Sequence, residues 1–118
     1  MRRTFNTEVL EQCLQRERIE NEKKREQTLA QVMSLLSKLA REYSLREAYV
    51  FGSLAKPGRF RNHSDVDLAV LGLKKENYFA FMAALRNNLE REVDVVELDH
   101  HPWREKILET GIKWKKRN

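Results

Sequence analysis

Apolar residues follow two different rhythms along the chain. From Thr7 to Tyr43 there is neither glycine nor proline, and the residues are mainly Glu, Gln, Lys, Arg and Leu, all good helix formers. The pattern predicts a helix over this stretch, capped by Asn6 or Thr7, with Glu8 and Glu11 favourably placed in its first turn. If continuous, it would run for about 55 Å, longer than a small domain is wide. Leu29, Val32, Met33, Leu36, Leu39 and Ala40 recur at i, i+3, i+4, i+7 and are expected to dock on the core. Val9, Leu10, Cys13 and Leu14 form a separate patch nearer the start. Between the two, residues 16–28 offer only Ile19 for burial, so the middle turns are expected to stand in water or to meet another chain. That lapse disfavours a sustained coiled coil.

Beyond Glu47 the rhythm shortens. Ala48-Tyr49-Val50-Phe51 reads as a buried strand ended by Gly52-Ser53, and a polar loop with glycine and proline follows from Lys56 to Ser64. Val66, Leu68 and Val70 alternate with Asp67, Ala69 and Leu71 in a second strand. Tyr78, Met82, Leu85 and Leu89 share one face of a helix over residues 76–90, and Val93 to Leu98 make a third strand. Pro102 suits the first turn of a last short helix with Gly111 at its C′ position, and Ile112 to Trp114 supply a final edge segment. Tyr78, Trp103 and Trp114 are expected in the core. The fold class is mixed α/β (α+β), a small sheet flanked by helices. Residues 1–44 form an N-terminal helical extension, and residues 45–118 form the domain proper.

Composition narrows the class of function. At 118 residues there is one domain's worth of chain, with net charge +5, a mild basic excess that favours polyanionic ligands such as nucleotides. No apolar run approaches a membrane span or a signal core, and the single cysteine, Cys13, excludes an intrachain disulfide. The expected setting is the cytoplasm.

The acidic residues carry the sharpest signal. All but four of the 18 are glutamate; the exceptions are Asp65, Asp67, Asp94 and Asp99, three of them in or beside strands, where aspartate is disfavoured. Residues placed against local propensity mark sites. On a strand Asp65 and Asp67 point to one face, about 6–7 Å apart. Asp94, on the next strand, would complete a three-carboxylate cluster if the two strands pair. Such a cluster repels itself without a cation, and Mg²⁺ is held through one or two carboxylates together with substrate phosphates. Gly52 lets the backbone approach a ligand closely, while the Ser53 hydroxyl and neighbouring amides suit phosphate oxygens. Lys56, Arg59, Arg61 and His63 decorate the loop between them. Glu92 and Glu97 are expected to be exposed strand residues, and Asp99 with His100-His101 a strand-end turn.

Phe51-Gly52-Ser53-Leu54-Ala55, the loop, and Ser64-Asp65-Val66-Asp67-Leu68-Ala69-Val70 together resemble the signature of the DNA polymerase beta nucleotidyltransferase superfamily, in its minimal nucleotidyltransferase (MNT) branch. The resemblance spans about Leu45 to Trp114, with Glu109-Thr110-Gly111-Ile112 similar to the closing segment. Leu54 departs from it, standing where arginine is frequent, and the leading helix is longer than usual. The resemblance implies two Mg²⁺ ions holding a nucleoside triphosphate, with ATP as substrate. Asp65 and Asp67 would bind both metals. Asp94 would bind the catalytic metal and help deprotonate the acceptor, and Gly52, Ser53, Lys56 and Ser64 would hold the nucleotide. It also implies a HEPN-like partner protein in a toxin–antitoxin pair, some antitoxins of this kind transferring AMP to a tyrosine of the toxin. The alternative is a non-catalytic antitoxin or regulatory module that acts by docking; RNA binding through the basic loop is a weaker option. The exposed patch on the leading helix is expected to bind the partner or a second copy, giving a homo-oligomer.

Overall fold

Helix formers without a breaker give α1 (Thr7–Tyr43), the longest element of the chain. The computed structural model describes residues 7–116; Asn6, one of the two caps expected for α1, lies outside them. Arg25, Thr28, Val32, Leu36 and Ala40 are buried along α1 at spacings of three and four, so a single stripe faces inward. The helix stops at Ser44, which takes the left-handed conformation (φ 56°) and lets the Leu45 amide donate to the Ala40 carbonyl.

The remaining elements are β1 (Glu47–Phe51), β2 (Val66–Leu71), α2 (Tyr78–Leu89), β3 (Val93–Glu97), α3 (Arg104–Thr110) and β4 (Ile112–Lys115). Single 3₁₀ turns at Gly52–Ala55 and Lys75–Asn77 follow β1 and precede α2. The sheet order is β3-β2-β1-β4. Both neighbours of β1 run antiparallel to it, whereas β2 and β3 are parallel, as a crossover through α2 requires. The fold is thus α+β, a four-stranded mixed sheet flanked by helices.

The two faces of the sheet differ. Ala48, Val50, Val66, Leu68, Val70 and Val93 pack against Val32, Leu36 and Ala40 of α1 and Phe81 and Leu85 of α2. Trp114 joins this core, its indole Nε1 donating to Ser37 Oγ at 3.0 Å and fastening the edge strand to α1. The opposite face carries a smaller cluster, Tyr49, Ala69 and Leu98 under Ile107 of α3. Its other end, where β1 finishes and β2 and β3 begin, is left for chemistry.

Two expectations need correction. The polar middle of α1 stands in water only in part: residues 16–20 are exposed, whereas Arg25 and Thr28 are buried against the domain. Gly111, expected just past the last helix, ends α3 as the capping residue itself, with extended backbone (φ −74°, ψ 161°). Glycine is needed there because a Cβ would sit 2.6 Å from the Ile107 carbonyl oxygen, where α3 turns straight into β4. Among the described residues, no helix is long and apolar enough to cross a membrane.

Candidate active site

The register of the sheet brings two of the three expected aspartates, Asp67 and Asp94, to one end of one face. Asp67 pairs directly with Asp94 across the parallel β2–β3 ladder and with Phe51 across the antiparallel one. Asp65, two residues before Asp67 and just outside β2, lies close enough for its charge to act on Asp67. Asp67 is half-buried, and its carboxyl is pushed up to about 6 from the ordinary 3.8. Burial is the largest cause, followed by the negative charges of Asp94 and Asp65. Asp67 therefore feels the charge of both other acids.

Among the described residues, no group of three or more His, Cys, Asp or Glu side chains is arranged so that it could by itself hold a metal ion. The donor set nonetheless fits Mg²⁺, a hard cation that needs only one or two carboxylates when substrate phosphates supply further oxygens. Acids gathered at one end of the sheet, with the proton affinity of Asp67 raised by the other two, are the setting that a divalent cation relieves.

The turn after β1 lies against these acids. Gly52 has φ 72°, and a Cβ there would be 2.4 Å from Asp67 Oδ2. Only glycine allows the backbone to lie this close beneath the carboxylate. The Gly52–Ala55 turn then leaves Ser53 half-buried while burying Leu54 fully. Lys56 is exposed beyond it.

Sequence reasoning missed what holds this turn in place. Arg25 of α1 donates from Nη1 to the Leu54 carbonyl at 3.1 Å and from Nε to Glu22 Oε1 at 2.7 Å. Glu22 Oε2 in turn accepts the Gly58 amide at 3.2 Å. A Glu–Arg pair three apart in a charge-rich helix looks like any solvated pair, so no local signal marks it. The far end of the loop is braced as well. Ser64 Oγ accepts the Arg61 amide at 2.8 Å, and Arg91 donates to the Ser64 carbonyl at 2.6 Å while its guanidinium lies 4.6 Å above the Phe60 ring. Ser64 thus shapes the loop, and Phe60, expected in a polar loop, is buried. Arg59 and His63 are exposed. Glu92 and Glu97 are exposed as expected, and Asp94 occupies the register position beside Asp67.

Trp103 departs from expectation more sharply. It is 63% exposed, on the same side of the sheet as the acids, whereas Trp114 is 8% exposed. Its polar neighbours Asp99, His100 and His101 were the available sign that this segment runs over the surface.

Known proteins share the sequence family and the fold. Residues 33–118 match the polymerase beta nucleotidyltransferase family. The chain belongs to that family. Among solved structures, the nucleotidyltransferase is similar to a candidate minimal nucleotidyltransferase, 30% identical, with 73% of this chain and 92% of that one covered and a TM-score of 0.61. A toxin–antitoxin structure with AMP-PNP is 25% identical over 73% of this chain and 74% of that one, TM-score 0.59. The toxin–antitoxin MntA–HepT, 23% identical over 72% and 70% with a TM-score of 0.52, shares the fold. Among curated proteins, none matches the sequence significantly.

Proposed function

We propose that this nucleotidyltransferase moves AMP from ATP onto a partner protein, a HEPN-like toxin for which it is the antitoxin, in the cytoplasm. The observation that carries the reading is the direct pairing of Asp67 with Asp94 beside Asp65 and above the Gly52 turn. The likeness to a toxin–antitoxin structure with AMP-PNP supports the substrate class and the partner. Residues 45–118 carry the transferase, and residues 1–44 extend it.

Asp65 and Asp67 would hold two Mg²⁺ ions and Asp94 one of them. When bound, the ions neutralise phosphate charge and stabilise the attacking and leaving oxygens of an in-line displacement. Gly52 and Ser53 bind the triphosphate by their amides and hydroxyl, with Lys56 as a nearby cation and Ser64 keeping the loop in shape. An acceptor hydroxyl gives its proton to the Asp94 carboxylate as its oxygen bonds to the α-phosphorus. The bond from that phosphorus to the bridging oxygen breaks, and pyrophosphate leaves with the electron pair. A chain this short has little surface for a specific acceptor, which the partner therefore supplies.

Mg-ATP should raise the thermal stability of the parent, as any ligand of the native state does. Asp65→Asn and Asp67→Asn should each abolish that shift, while Asp94→Asn should bind nucleotide and fail to transfer it. Parent-like responses in both of the first two variants would sink the reading.

A docking-only antitoxin is favoured by one observation. The outer part of α1 leaves Leu10 and Leu14 exposed at 42% and 43%, a surface for the partner or for a second copy in a homo-oligomer. Under that reading all three aspartate variants would still neutralise the partner.

A further inference from the structure

Beside the Gly52 turn lies a cavity of about 130 Å³ that the proposed chemistry does not use. Phe51, Ala55, Ile107 and Trp103 give it apolar walls, Gly52 joins it to the acids, and Lys56 and Lys106 also line it. Three rings lead outward from the site. Phe51, the cross-strand partner of Asp67, has its centroid 6.2 Å from that of His101, and His101 meets Trp103 edge-on at 5.7 Å. The Trp103 amide donates to His101 Nδ1 at 3.1 Å, so the loop holds Trp103 in place although its indole is exposed.

We infer that this slot between the Gly52 turn and α3 receives the nucleobase of the donor nucleotide, with Trp103 as its stacking platform. The inference rests on the reading that the donor is a nucleoside triphosphate. Strand order separates donor from acceptor. Asp94 lies on one side of Asp67 and Phe51 on the other, so the slot is on the side of the phosphate-binding turn and away from the acceptor. Its size decides what fits. Ordinary ligand pockets span about 300–1,000 Å³, so this one takes a single ring system and not a peptide or a whole nucleotide. The exposed aromatic face of Trp103 suits a base, since such a face stacks any of them. The stems of Lys56 and Lys106 can line the slot while their ammonium groups reach phosphates outside it.

The test compares ATP with inorganic tripolyphosphate, which has the charge but no base, both with Mg²⁺ and measured by calorimetry. Trp103→Ala should weaken ATP binding by about tenfold or more and leave tripolyphosphate binding unchanged, and Trp103→Phe should restore most of the loss. Unchanged ATP affinity in Trp103→Ala would overturn the inference and leave the transferase reading standing. Equal losses for both ligands would overturn it as well, by assigning the slot to phosphate. A parent that binds neither ligand would overturn both readings.

Discussion

At Asp67 the demands of folding and of chemistry oppose each other. Its folded value of about 6 lies above the ordinary 3.8, so between these pH values the native state holds a proton that the unfolded chain has lost. Stability from this group is fully present below the ordinary value and is lost as pH rises through about 6. Asp67→Asn should therefore stabilise the ligand-free protein at pH 8 by about 1–2 kcal/mol, allowing for solvent screening of a half-buried group, and have little effect at pH 4. Urea denaturation at the two pH values measures this, and equal effects at both would contradict the electrostatic account. The three aspartates were legible in the sequence because aspartate in a strand breaks local preference. Phe60 and Trp103 were not, since the partner of one is Arg91, 31 positions away, and the exposure of the other depends on where α3 lands.

At the scale of elements, the outline of α1 is readable because helix formers run unbroken until Ser44, but the burial of Arg25 and Thr28 in its polar middle is not. Burial was inferred from apolar side chains, whereas Arg25 is buried by what its guanidinium bonds. Arg25→Met keeps much of the stem and removes the bonds to the Leu54 carbonyl and Glu22. It should destabilise the fold by about 1–3 kcal/mol, the range for losing hydrogen bonds to a charged group, and weaken Mg-ATP binding by loosening the Gly52–Ala55 turn. Chemical denaturation and calorimetry on one sample separate the two effects. Stability lost with nucleotide affinity intact would show that the clamp serves the fold alone. The parallel β2–β3 pairing is not legible in either strand alone, since strand direction depends on the crossover. With it, the β2 and β3 acids become direct neighbours.

The whole molecule measures 67 × 29 × 24 Å with a radius of gyration of 17.7 Å, against about 13 Å for a compact chain of this length. The excess is the outer part of α1, which carries Leu10 and Leu14 far from the core. Replacing both by Gln should lower the mass seen in light scattering for the complex with the partner or with a second copy, while Mg-ATP binding persists. A parent that stays monomeric and a double variant that still holds the partner would reduce this segment to a solvated extension. The position of the Glu22–Arg25 clamp on α1 has a mechanical consequence. A helix gripped part-way along is a lever, and here the fulcrum is the pair of contacts to Leu54 and Gly58. A load applied by whatever seizes the outer arm is borne at those two contacts, so the arm cannot tilt without straining the floor on which the phosphates would rest.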